Sequence, residues 1–156
     1  MKDSCYLLPK SKGGGGNSAS FPRRGVRRLT YPQFSGKVKI PVTLICVDTT
    51  GKADLARRAI KECLSQADFP AVKLLTNEVK EPFDVKIPTL PGIPDYSNFL
   101  IRDLHRFVET SHCLVVQWDG YIVDATRWIP EFLHYDYIGA PWWQWKGLVG
   151  NGGFSL

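Results

Sequence analysis

Between residues 38 and 47 the apolar positions stop alternating and run almost without a break: Val38, Ile40, Val42, Leu44, Ile45 and Val47. Such a run predicts a strand buried on both faces, as in a parallel sheet. Pro41 puts the first residues at the strand's edge or outside it. Asp48-Thr49-Thr50-Gly51 signals a loop and a helix start. Over residues 52–66, Leu55, Ala56, Ala59, Ile60, Cys63 and Leu64 recur at helical spacing, with Arg57, Arg58, Lys61 and Glu62 facing away. Phe69-Pro70 closes this helix, and residues 71–76 (AVKLLT) predict a second strand. Together these make a β-α-β unit, for which a right-handed crossover is expected.

Residues 77–94 hold Pro82, Pro88, Pro91 and Pro94 and read as loop, with room for a short strand at 84–87. Asp95 or Ser97 can cap a helix over residues 98–110, striped by Leu100, Leu104, Phe107 and Val108. A strand follows at 113–118 and a second apolar run at 121–123. Residues 126–133 predict a short helix with Pro130 in its first turn. The alternation of strand and helix predicts an α/β fold, a mainly parallel sheet flanked by helices. It occupies residues 37–156 as a single domain. Residues 1–36 include Gly13–Gly16 and several Ser and Lys; such a tail cannot bury enough apolar area to offset its ordering entropy.

Charge sharpens this division. Residues 1–40 carry nine Lys/Arg and one Asp, a net +8, whereas residues 41–156 carry eleven Lys/Arg and fourteen Asp/Glu, a net −3. The basic character belongs to the tail. A nucleic-acid-binding body would need its own basic stripe, so no nucleic-acid partner is expected for the folded part. No apolar run approaches the roughly 18 residues of a membrane-spanning helix, and the N-terminus lacks the apolar core of a secretory signal. None of Cys5, Cys46, Cys63 and Cys113 forms a C-x-x-C pair; the last three sit at apolar positions, as buried reduced thiols do. Reduced thiols fit a cytoplasmic location.

The candidate chemistry lies in the last third. Asp119-Gly120 separates two apolar runs and reads as a type I′ hairpin turn. The second reading, which can coexist with that turn, is an acid delivered to the carboxyl end of a sheet strand, where open α/β folds bind ligands and where a carboxylate could meet a divalent cation. Asp124 and Asp136 follow, but spacing alone does not gather them. His105, His112 and His134 form no H-E-x-x-H pattern, and no triad order or nucleophile elbow is present. Tyr135, Tyr137, Trp142, Trp143 and Trp145 suit either a half-wet pocket or a loop pinned to the core. Gly150-Asn151-Gly152-Gly153 is neither a Walker loop nor G-x-G-x-x-G; it permits close backbone approach, or simply a turn before a strand at 154–156.

Taken in order, Ser111-His112-Cys113-Leu114-Val115-Val116-Gln117-Trp118-Asp119-Gly120, then Trp128, then Tyr135-Asp136-Tyr137-Ile138-Gly139-Ala140-Pro141-Trp142, then Gly150-Asn151-Gly152-Gly153-Phe154-Ser155-Leu156 resemble a largely uncharacterised family of glycosyltransferase-like proteins with a GT-A-like fold. The resemblance covers roughly residues 39–156. It implies a Rossmann-like, GT-A-like domain that binds a nucleotide-sugar donor and transfers its sugar to an unknown acceptor. The donor-binding residues it implies are Asp48, Thr49 and Thr50 at the end of the first strand, Asp119, and Asn151, Gly152 and Gly153. Asp119 would also be the contact to Mn²⁺ or Mg²⁺, although the D-x-D acid pair of such enzymes is here Gln117-Trp118-Asp119, with one acid left. Asp136 is the candidate catalytic residue in the acceptor region. Asp119 is expected to face the glycine bend across a hollow of sugar-nucleotide size. The resemblance also implies a domain incomplete at its C-terminus, so a truncated, non-catalytic sugar-nucleotide or glycan-binding module is the alternative to an active transferase.

Overall fold

The computed structural model of the chain describes residues 36–141, 148–150 and 153–156. The tail at 1–35, the tryptophans Trp142, Trp143 and Trp145, and Asn151 and Gly152 lie outside the described residues. Strand β1 (Val38–Lys39) is followed by β2 (Thr43–Asp48), with Pro41 in the break between them. Every residue of β2 is buried. Helix α1 (Ala53–Gln66) then leads to β3 (Ala67–Asp68) and β4 (Ala71–Thr76). β4 lies parallel beside β2, from Thr43 opposite Ala71 to Asp48 opposite Thr76. Strands β1 and β3 form a separate two-stranded parallel ribbon.

Next come β5 (Asp84–Lys86), α2 (Ile93–Arg102), a 3-10 turn (Leu104–Phe107), β6 (Cys113–Val116) and the terminal β7 (Phe154–Ser155). The main sheet has the order β5-β4-β2-β6-β7. Its first four strands are parallel, and β7 is antiparallel to β6. The α/β class and mostly parallel sheet read from the sequence therefore hold.

Alternation along β2 builds two cores. Leu44 and Cys46 pack with Ala56, Ile60 and Cys63 of α1, while Ile45 and Val47 pack with Leu75, Val115 and Leu104, against which Tyr96, Phe99 and Leu100 of α2 rest. A strand covered by helices on both faces must be apolar at every position, which is why its pattern is continuous.

Four local expectations are corrected. Arg57, read as facing away, is buried: its Nε and one terminal nitrogen donate to Asp84 Oδ2 at 2.9 and 2.7 Å. Leu55, read as core, is exposed. Both lie one residue, about 100° of helix, from the Ala56 stripe on opposite flanks; Arg57 turns toward β5 and Leu55 toward the turn after β6. The helix expected over 98–110 begins instead at Ile93, with Pro94 in its first turn and Gly92 at its N-cap, and gives way after Arg102 to the 3-10 turn. Proline is pre-set for that first turn, a stronger start signal than Asp95 or Ser97. The helix expected over 126–133 is two 3-10 turns, Ala125–Arg127 and Pro130–His134. Ile129, which precedes Pro130, is extended, as steric conflict with the proline ring favours.

Candidate functional site

From β2 the chain moves to β4 and β5 on one side, and β6 then returns to the other side of β2. Open α/β sheets leave a crevice at such a reversal, beyond the carboxyl ends of the strands. Here it is bounded by the loop after β2, residues 48–52, and by the turn after β6, residues 117–120.

The loop after β2 is held by Asp48. Its Oδ1 accepts from the Thr50 N–H at 2.9 Å, the Thr50 hydroxyl at 3.3 Å and the Lys52 N–H at 3.2 Å. Gly51 supplies the positive φ of +87° that lets the chain turn into α1. Thr49 is also buried, and its hydroxyl accepts from the Leu90 N–H at 2.9 Å, tying the loop to the segment before α2. Asp48 and Thr49, expected to touch a ligand, are buried, and their side chains fix the shape of the loop. Thr50, Gly51 and Lys52 are its exposed members.

The turn after β6 is closed by two backbone bonds between Gln117 and Gly120, of 2.8 and 3.2 Å. Trp118 and Asp119 occupy its centre, both exposed. Neither they nor Gly120 has positive φ, so the turn is present but not in type I′ form, and residues 121–123 make no second strand to complete a hairpin. The pairing ends there. Beyond it Tyr121 stays exposed, while Ile122 is buried beside α1: its N–H donates to Cys63 Sγ at 3.4 Å and its carbonyl accepts from Gln66 Nε2 at 3.0 Å.

The two loops meet. Lys52 Nζ lies 4.1 Å from the centre of the Trp118 ring, a cation over an aromatic face. On the α2 side, Gln117 Nε2 donates to the Tyr96 hydroxyl at 2.9 Å. Burial, then the charges of Asp48 and of Cys63, push the Cys46 thiol beneath this edge up to about 12. Asp119 adds to the same effect. Cys46 is thus a neutral packing group, not a nucleophile.

Gly153 packs directly on the turn. A Cβ there would come within 2.6 Å of Gln117 Oε1, and one on Gly120 would come within 2.8 Å of the Gly153 carbonyl oxygen. The acid-bearing turn and the glycine bend are neighbours, as expected, but they touch; no hollow separates them among the described residues. Gly120→Ala is expected to lower stability by about 1–3 kcal/mol, because fixed backbone cannot yield. Gly153→Ala is expected to cost less, because glutamine can move. Paired urea denaturation curves check this ordering.

Asp136 lies elsewhere. Ile138 exchanges both backbone hydrogen bonds with Leu156, and Gly139 bridges to Ser155, which also faces Val115 of β6. Ile138 is thus level with the amino-terminal half of β6, and Asp136 lies two residues further from the carboxyl edge. The structure does not bring Asp136 to Asp119. Asp124 caps its own 3-10 turn, accepting from the Thr126 N–H at 3.1 Å. Tyr137 folds onto Gly139 and donates to the Gly150 carbonyl at 3.0 Å, a pinning role rather than a pocket one.

No three potential metal ligands gather among the described residues. Asp119 is the exposed carboxylate of the turn after β6. Lys52, Tyr96 and Gln117 escaped the sequence reading as site residues. Only Gln117 carried a signal, as the replacement for the first D-x-D acid.

Residues 81–156, just under half of the chain, match a family model described as Protein of unknown function (DUF5672). That span includes β5 to β7 and the 117–120 turn, but not β2 or α1. No curated protein matches the chain, and no solved structure does.

Proposed function

We propose that residues 37–156 are the donor-binding part of a Rossmann-like, GT-A-like glycosyltransferase domain, which takes a nucleotide-sugar at the carboxyl edge between β2 and β6. The observation that supports this most is the strand reversal at β2 and β6, which gathers residues 48–52 and 117–120 at one edge. Helix α1 begins there without a side-chain cap, and the N–H groups of Ala53, Asp54 and Leu55 have no backbone partner among the described residues. Unpaired first-turn N–H groups, the helix dipole and the Lys52 ammonium favour a diphosphate. Asp119 supplies what those groups lack: an ionised acceptor for ribose or sugar hydroxyls. During transfer, charge grows on the departing diphosphate, and preorganised N–H donors and Lys52 would stabilise it. Where Mn²⁺ or Mg²⁺ arrives with the donor it would neutralise the same charge, and Asp119 is an exposed carboxylate in the turn after β6.

Titration calorimetry with UDP-glucose and GDP-mannose, with and without Mn²⁺, tests the reading. A hydrogen bond to an ionised group contributes about 1.5–3 kcal/mol, so Asp119→Ala is expected to weaken binding by about 10- to 100-fold. No binding by a demonstrably folded chain would contradict it. Equal loss with and without Mn²⁺ assigns Asp119 to hydroxyls; loss confined to Mn²⁺ assigns it to the cation.

A second reading, binding without transfer, draws on the position of Asp136. A base must come within about 2.6–3.2 Å of the acceptor proton, directly or through one water. The pairing of Ile138 with Leu156 holds Asp136 beyond the amino-terminal half of β6, away from this edge. Product formed by the purified chain would exclude this reading.

A further inference from the structure

A hollow of about 200 Å³ lies on the flank of α1, lined by Leu55, Arg58, Ala59, Trp118 and Tyr121. It adjoins the β2–β6 edge but is distinct from it: Trp118 is shared, and the remaining walls belong to the helix flank and the strand exit. Leu55, Trp118 and Tyr121 are among the exposed large apolar side chains, and here they converge. Arg58 is exposed and forms no ion pair among the described residues, whereas Arg57 next to it is fully engaged with Asp84 and Asp54. Lys52 adds a second cation on the Trp118 ring.

We propose that this hollow is a subsite for a single sugar ring carrying an anionic group, the acceptor-side partner of the donor edge. Size argues for one ring, since sites for larger ligands run to about 300–1,000 Å³. The chemistry of the walls argues for the rest. Trp118 and Tyr121 offer flat amphipathic faces that can cover the C–H face of a sugar while their polar ends stay wet. Arg58 offers a planar fork matched to phosphate or carboxylate. A purely apolar ligand would leave that guanidinium unused, and a free anion would leave the rings unused. The acceptor role rests on the donor-binding reading above; the subsite itself does not.

The probes are glucose 6-phosphate and glucuronic acid, which separate a phosphate from a carboxylate source, with glucose and inorganic phosphate as controls. The readout is the Trp118 indole N–H and the Arg58 Nε–H resonances of the ¹⁵N-labelled chain. A saturable shift is expected with at least one acidic sugar, at concentrations where each control gives at most a tenth of it. Trp118→Ala is expected to weaken binding at least 10-fold, Trp118→Phe less than 3-fold, and Arg58→Gln about 5-fold or more for the acidic sugar alone. Trp118→Phe keeps an aromatic face and guards against loss by misfolding. Inorganic phosphate matching the sugar phosphate, or Trp118→Ala binding as well as the parent, would overturn the subsite. UDP-glucose binding measured on the same samples separates the two claims: retained nucleotide-sugar binding without an acidic-sugar shift removes the subsite alone, and the converse removes the donor reading and the acceptor role but leaves the subsite.

Discussion

Arg57→Met is expected to lower the free energy of unfolding by about 3–5 kcal/mol, the range for removing one partner of a buried ion pair. Asp84 opens β5 with its side chain inaccessible to solvent. One of its oxygens, Oδ2, accepts from two Arg57 nitrogens and from the Lys80 and Glu81 N–H groups at 2.8 and 2.9 Å. The other, Oδ1, is buried without a partner. Without the guanidinium, a carboxylate that already lacks one set of bonds must stay charged in an apolar wall or take up a proton. Arg57 also donates to Asp54 at 2.6 Å and to the Glu78 carbonyl, so its loss frees the loop between β4 and β5. Urea denaturation at neutral pH measures the effect as a lower midpoint. Arg57→Met combined with Asp84→Asn should recover part of the loss.

The same pair sets a pH dependence. Burial alone would raise the Asp84 carboxyl, but the hydrogen bonds from Arg57, Lys80 and Glu81 outweigh it and hold it below its usual value. A carboxyl depressed on folding contributes stability above its unfolded pKa, about 3.9, and loses it as pH falls through the folded value. The parent chain should therefore lose stability below about pH 4. Arg57→Met should show less of that acid-side loss, because its Asp84 no longer has the depressed pKa.

Leu44→Ala is expected to cost about 2–5 kcal/mol. Leu44 is fully buried at the centre of the sheet, opposite Val72 of β4 and Leu114 of β6, and faces α1. Neighbours on three sides belong to regular elements that cannot collapse into the space. Leu55→Ala serves as the contrast. That leucine repeats at the same helical spacing as the core of α1, yet lies at the rim of the hollow, where truncation should change stability by no more than about 0.5 kcal/mol. The two variants compared by urea denaturation show whether depth, rather than residue type, decides the cost.

How much the sequence discloses depends on which physical signal each element carries. β2 is legible because burial on both faces forces an unbroken apolar run, and β4 because two such strands flank one amphipathic helix. Position in the sheet is less legible. Nothing local states that β6 returns beside β2, yet that return makes the candidate site. Arg57 misleads because charge usually means exposure, and only the distant Asp84 makes burial tolerable. Asp119-Gly120 misleads in part because its composition fits a type I′ turn, whereas the turn is centred one residue earlier, on Trp118 and Asp119. Of the expected site residues, Asp48, Thr49, Thr50, Asp119 and Gly153 lie at or against one edge. Asp136 is carried to the other end of the sheet by the register of residues 138–141 against β7. Asn151 and Gly152 lie outside the described residues.

The central claim is that ligand enters where β2 and β6 end. It is tested most directly by following the backbone amides of the ¹⁵N-labelled chain during titration with UDP-glucose and with GDP-mannose. The account predicts that the largest saturable shifts fall on Thr50, Lys52, Ala53, Trp118 and Asp119 with at least one of the two. Shifts confined to α2 or to residues 136–141, or none from either nucleotide-sugar, would contradict it.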